Sequence, residues 1–175
     1  QQILIAVSIG SMLLGAVAAI GQTNAKRLLA YSAITNIGFA LIGLAAGTAA
    51  GISAVLFYLL VYLVMTLGAF VCLMMVVDGE GRNREELADL AGLAKTRPGL
   101  AAALAIFMFS LAGIPPLFGF MPKLAVLSAA VETNLWPLAV IGVLASVVAA
   151  YYYLRVVKIL YFDPPAEFAV ARVEQ

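Results

Sequence analysis

The chain has no histidine and a single cysteine, Cys72. An internal disulfide is therefore excluded, and so are the imidazole and thiolate sets that hold zinc, haem or iron–sulfur clusters. Charge is also scarce: Asp, Glu, Lys and Arg make up 11% of the residues, against roughly 25% in soluble domains. A net charge of +1 leaves no basic stripe to neutralise phosphates, which excludes nucleic acid as a partner. Low-complexity linkers are missing, and no internal sequence repeat is evident. What fills the chain is apolar, 65% of it, which identifies an integral membrane protein in contact with the lipid bilayer. The sequence also opens without methionine and enters an apolar helix at Gln1, with neither the basic region nor the cleavage site of a signal peptide. With a polar ending at Gln175 it reads as a fragment or a processed piece.

A helix rising 1.5 Å per residue needs about 20 apolar residues to cross roughly 30 Å of hydrocarbon. Five segments qualify: Ile3–Ile20, Leu28–Ala46, Ile52–Val77, Leu100–Val131 and Leu135–Tyr161. All are expected to be helices, because a span in lipid must satisfy its own backbone. The fold class is an all-α membrane protein of five transmembrane helices in one helical domain, residues 1–175. Threading the chain back and forth places Lys26, Arg27, Arg82, Arg84, Lys95, Arg97, Arg155, Lys158 and Arg172 on one side. The positive-inside rule makes that side cytoplasmic. The connector Asp78–Gly99 is either a solvated link or, from the spacing of Leu87, Leu90, Ala91 and Leu93, carries a short amphipathic helix on the membrane surface. Pro98 suits the first turn of the fourth span.

Only Lys123, the tenth basic residue, cannot be placed in water by this threading. A lysine at bilayer depth costs at least about 2.5–3.5 kcal/mol and usually marks an ion or proton pathway. Its span of 32 residues is too long to be one straight helix, and Pro115 and Pro116 each remove an amide donor and clash with the preceding turn. The fourth helix is therefore expected to be discontinuous at Pro115-Pro116, with an unwound stretch near Ser110–Gly119. Non-helical backbone at that depth requires protein or a hydrated cavity around it. Snorkelling to the interface is the competing account of Lys123. A reach of about 6 Å falls short from a position some 13 Å of helix before Glu132.

The second span offers a further polar group. Lys26 and Arg27 open it, and Tyr31, Ser32, Thr35 and Asn36 follow on one side of the helix. Such a stripe either lines a hydrated path or ties helices together. Tyr58, Tyr62 and Thr66 form a weaker stripe in the third span, read as interhelical hydrogen bonding. Small pairs such as Ala6 and Gly10, Gly15 and Ala19, and Gly43 and Gly47 favour close packing. Trp136 and the run Tyr151, Tyr152, Tyr153 fit interfacial aromatic belts, and Arg155 and Lys158 fit anchors for the basic end of the fifth span.

Three runs carry a resemblance: Gln22-Thr23-Asn24-Ala25-Lys26-Arg27-Leu28-Leu29-Ala30-Tyr31-Ser32, Ser110-Leu111-Ala112-Gly113-Ile114-Pro115-Pro116-Leu117-Phe118-Gly119-Phe120-Met121-Pro122-Lys123, and Tyr151-Tyr152-Tyr153-Leu154-Arg155-Val156-Val157. Together they resemble the antiporter-like membrane subunits of respiratory complex I, the subunit N branch most of all, to which Asp89-Leu90-Ala91-Gly92-Leu93 before Arg97-Pro98 adds. The resemblance implies the second of two inverted five-helix repeats, with Leu100–Val131 as its broken helix. It implies that Lys123 transfers protons, and that Lys26 belongs either to the proton path or to a structural signature. Arg27, Tyr31, Ser32, Thr35, Asn36, Pro115 and Pro116 would line the channel or shape it. Asn36 departs from the pattern, since many relatives carry histidine there. The implied function is proton translocation within NADH:quinone oxidoreductase, a multi-pass protein of the bacterial inner membrane in an obligate hetero-oligomer with other membrane-arm subunits. No cofactor is expected in this chain; flavin, iron–sulfur clusters and quinone would belong to partner subunits. The alternative is a subunit of a multi-subunit sodium/proton antiporter.

Overall fold

The computed structural model describes residues 1–77 and 81–165. Seven α-helices run in chain order as α1 (Gln2–Ile20), α2 (Ala25–Ala46), α3 (Ala49–Met74), α4 (Leu93–Thr96), α5 (Pro98–Ala112), α6 (Phe120–Glu132) and α7 (Trp136–Phe162), with a 3-10 turn over Leu87–Leu90. The only strand-like pairings among the described residues are isolated bridges. Helices α1, α2, α3 and α7 are each long and apolar enough to cross a membrane. The fourth span is divided: α5 has 15 residues and α6 has 13, rising about 22 and 20 Å, so neither half crosses alone.

Local chemistry sets the helix ends. The Asn24 side chain accepts from the Arg27 amide and starts α2 earlier than its hydropathy suggests, so Lys26 and Arg27 stand inside the first turn. Thr48 caps α3 in the same way through the Gly51 amide, after Gly47 closes α2 in the left-handed region. Pro98 occupies the first turn of α5, where its missing amide costs nothing. Third-span hydropathy extends to Val77, but α3 stops at Met74, and Arg97 Nη1 donates to the Met75 carbonyl at 2.6 Å.

Helix α2 is central, packing against α1, α3, α6 and α7. Its contact with α1 closes on small residues. A methyl group on Gly15 would come within 2.7 Å of the Thr35 amide nitrogen, and one on Gly38 within 2.9 Å of that of Met12. Gly10, by contrast, has nothing within 4 Å of a Cβ, so its pairing with Ala6 packs no described helix. Two clusters of buried apolar residues form the interior, one around Leu28, Leu104 and Tyr152, the other around Phe39, Ile42 and Val126.

The connector does not lie on the membrane as an amphipathic helix. Its leucines have the expected spacing, but Leu87, Leu90 and Leu93 are buried against the bundle's own basic end, beneath α7. Backbone bonds strap it there: Ala25 N to Glu85 O and Leu87 N to Thr23 O, both at 2.7 Å, and Gly92 N to Ile159 O at 3.1 Å. Residues 78–80 of this connector, and Arg172, lie outside the described residues.

Candidate functional site

The break in the fourth span creates the site. Gly113, at φ 82°, ends α5 in the left-handed conformation that favours glycine. Its amide bonds to Ser110 O at 3.0 Å and the Ile114 amide to Phe109 O at 3.2 Å, which is the Schellman closure. That closure satisfies Phe109 and Ser110 and leaves the next two carbonyls, Leu111 and Ala112, without backbone donors. Lys123 Nζ takes both, at 2.9 and 3.1 Å. Its third partner is Ser146 Oγ of α7 at 3.4 Å, and the ring of Phe39 of α2 faces it from 5.1 Å. Pro115 and Pro116 stand exposed in the junction between α5 and α6.

Lys123 is 6% exposed and turns inward, against the end of α5 rather than toward the interface. Among the described residues no carboxylate lies within ion-pair distance of it. The compensation for its buried charge is the negative end of the α5 dipole, equivalent to about half an elementary charge, with two carbonyl acceptors and an aromatic face. A cavity of about 320 Å³ adjoins the side chain, with Gly113, Pro115 and Ser146 in its wall. Its lining is largely apolar, with Lys123 and Ser146 as its polar side chains.

A second polar group lies on the other side of Phe39. Asn36 is its hub: Nδ2 donates to Ser32 O at 2.8 Å, to Ser32 Oγ at 3.2 Å and to the Tyr153 hydroxyl at 3.2 Å, while Oδ1 accepts from the Tyr58 hydroxyl at 2.7 Å. The Ser32 and Tyr153 hydroxyls also bond to each other. The network joins α2, α3 and α7, so Tyr58 ties helices as its position in the third span predicts. Thr35 is buried nearby and bonds back to Tyr31 O at 3.4 Å, with Tyr31 half-buried. Thr35, Tyr153 and Ser32 lie near the Tyr152 hydroxyl, but none bonds it at hydrogen-bonding distance. Phe39 stacks on Tyr58 with ring centroids 6.4 Å apart, and no hydrogen bond among the described residues joins Lys123 to the Asn36 network.

Lys26 is not brought to either group. It pairs with Glu85 Oε1 at 2.6 Å near the basic surface, with both side chains about a third exposed. The hydrogen bond from Lys26, then that from Asn24, holds the Glu85 carboxyl below its ordinary range. The Arg27 side chain is exposed.

The aromatic-belt reading of the fifth span fails for Tyr152 and Tyr153, which are fully buried, whereas Trp136 and Tyr151 are exposed. Three tyrosines in a row on a helix point about 100° apart, so one face cannot hold them all. That spacing was the available signal for Tyr153. Arg155 does more than anchor: its Nη1 donates to Ile20 O at 3.0 Å and to Gln22 O at 3.5 Å, closing the end of α1. Ser146 and Phe39 carry no sequence signal of their own, being one hydroxyl and one ring in apolar helices.

The model of the NADH:quinone oxidoreductase/Mrp antiporter transmembrane family matches residues 1–149. NADH-quinone oxidoreductase subunit N of Rhizorhabdus wittichii is 57% identical over 98% of the chain, which covers 36% of that protein. The chain thus spans about a third of the length of this curated relative. Among solved structures, the Mrp complex from a Dietzia species aligns with a TM-score of 0.86 at 31% identity, over 94% of this chain and 30% of that one. Respiratory complex I from Thermus thermophilus aligns at 0.80 and 34% identity, over 98% of this chain and 40% of that one. With residues 1–149 of its 175 matched by the family model, the chain belongs to the NADH:quinone oxidoreductase/Mrp antiporter transmembrane family.

Proposed function

We propose that this chain is the proton-translocating part of a membrane-arm subunit of the subunit N type, moving protons through a hydrated channel centred on Lys123. Quinone reduction, and the flavin and iron–sulfur chemistry that precedes it, would take place in partner subunits. The observation that carries the reading is a buried lysine held by the end of a broken helix rather than by a carboxylate. An ion pair would fix the proton in place, whereas carbonyl oxygens stabilise the ammonium without locking it. Nine of the ten basic residues fall on one side of the threaded chain, which orients that side to the cytoplasm of a bacterial inner membrane. Lys26 then serves as a structural latch at the mouth, because Glu85 occupies its ammonium.

The fit to the Mrp complex favours a second reading, a subunit of a cation/proton antiporter. Identity weighs the other way, 57% to subunit N against 31% to the Mrp chain. Affinity purification of the full-length protein from its native membrane decides between them. Recovery of NADH-oxidising activity with the protein supports the first reading; sodium-dependent proton release in vesicles without NADH oxidation overturns it.

A further inference from the structure

We infer that Ser146 is the residue through which Lys123 exchanges its proton. The inference rests on the proton-translocating reading of Lys123 and adds a second, separately testable member to that site.

An ammonium has three N–H bonds, and each is directed at one partner: Leu111 O, Ala112 O and Ser146 Oγ. The two carbonyls are amide oxygens, acceptors of hydrogen bonds with no proton of their own to pass on. Phe39 offers a π-face and no lone pair. The Asn36 network holds the hydroxyls of Ser32, Tyr58 and Tyr153, but among the described residues none of them bonds to Lys123. A serine hydroxyl is the one neighbour that holds lone pairs and a transferable proton at once. Ser146 is also half-buried and lines the cavity of about 320 Å³ beside Lys123, where the step takes a water as its co-reactant.

The step balances with water as co-reactant. A Lys123 N–H bond breaks and its electron pair stays on Nζ, leaving a neutral amine. The proton bonds to a lone pair of Ser146 Oγ as the original hydroxyl proton passes to a cavity water. One positive charge leaves the lysine and one reaches the water, and the serine is again neutral. Rotation of the hydroxyl about the Cβ–Oγ bond resets it, and the reverse sequence reloads the lysine. The 3.4 Å separation is a long hydrogen bond, suited to a contact that forms and breaks during turnover.

The test uses the full-length subunit in its assembled complex, in inverted membrane vesicles, with NADH-driven proton uptake measured per NADH oxidised. Ser146→Val removes the hydroxyl and adds a branch at Cβ; Ser146→Thr adds the same branch and keeps the hydroxyl. Lys123→Met sets the level of uptake lost with this site. The expected result is loss to the Lys123→Met level in S146V and restoration in S146T, with equal assembly on native gels. Undiminished uptake in S146V beside loss in K123M overturns the role of Ser146 and leaves that of Lys123 standing. Equal loss in S146V and S146T also overturns it, because bulk and not the hydroxyl would then decide. Undiminished uptake in K123M overturns both roles. If S146V does not assemble, S146A, which only deletes the oxygen, must show the same loss.

Discussion

Replacing Lys123 by arginine separates holding a charge from releasing a proton. Burying the ammonium costs about 2.5–3.5 kcal/mol. The bonds to Leu111 O and Ala112 O, 2.9 and 3.1 Å long, are charge-assisted and return about 1.5–3 kcal/mol each. The two sums are comparable, so the site tolerates its lysine with little net cost. Lys123→Met removes the burial cost but leaves two carbonyls unpaired at about 1–3 kcal/mol each, again a change of only a few kcal/mol. Lys123→Arg retains both the charge and the donors, and the cavity beside the side chain takes the larger guanidinium. Arginine does not deprotonate in proteins. Both variants should therefore assemble, R more stably than M, and both should lose the proton uptake due to this site. Dye-reported acidification of inverted vesicles, normalised to NADH oxidation and to the amount of assembled complex, measures the outcome. Full uptake in K123R would refute the reasoning, because the lysine would then be only a cap.

Three further outcomes are expected. A methyl group on Gly119 would overlap the Ser110 carbonyl, and Ser110 Oγ also accepts from the Gly119 amide at 3.1 Å; G119A should cost at least about 3 kcal/mol, while G10A, with open space around it, should leave the thermal midpoint of the purified protein almost unchanged. Asn36→Leu strips partners from Ser32, Tyr58 and Tyr153 together and should destabilise by about 2–4 kcal/mol, against about 1 kcal/mol for Tyr153→Phe, which removes one hydroxyl; thermal unfolding of the two variants ranks them, and equal losses would deny Asn36 its place as hub. Glu85 has a carboxyl held below its ordinary range, so its contribution to stability is present above its unfolded value and is lost as pH falls through the folded one. Amide exchange in the strap over residues 84–87 should accelerate as pH drops through that window once the intrinsic rate is divided out, and Glu85→Gln should remove the pH dependence.

Apolar length and the isolation of one lysine made the five spans and their divided fourth member legible from the sequence, because both depend on the bilayer rather than on tertiary detail. The proline pair and Gly113 located the break for the same reason: backbone chemistry acts locally. What Lys123 touches was not legible. Its acceptors are the orphan carbonyls of Leu111 and Ala112, which exist only because the Schellman closure consumes those of Phe109 and Ser110. Ser146 and Phe39 reach it from α7 and α2, which are remote in sequence. The polar stripe of α2 was visible, but its division was not: Ser32 and Asn36 join Tyr58 and Tyr153 inside, whereas Lys26 is drawn out to Glu85 by a connector whose leucines turn to the bundle. Burial of leucine against protein or lipid gains similar energy, so hydropathy alone could not choose between those two surfaces.

Among the described residues three helix ends are seen to receive a basic side chain from elsewhere, and their differences bear on why the third is lysine. Arg155 of α7 closes α1 at Ile20 O, Arg97 closes α3 at Met75 O, and Lys123 of α6 closes α5 at Leu111 O and Ala112 O. All three place a cation where the helix dipole is negative. The two arginines stand near the basic surface; Lys123 stands in the interior, where an ammonium, being the more strongly hydrated group, is harder to bury than a guanidinium. If capping were its whole purpose, arginine would be the better residue at the place where lysine is found. The property lysine has and arginine lacks is an accessible neutral state. In that state the end of α5 keeps its Schellman bonds, and the two N–H bonds left on the amine still serve Leu111 O and Ala112 O, so the proton can leave without the helix end coming apart. Among the described residues no carboxylate pairs with the lysine, which leaves it free to discharge and leaves no unpaired buried anion among them when it does.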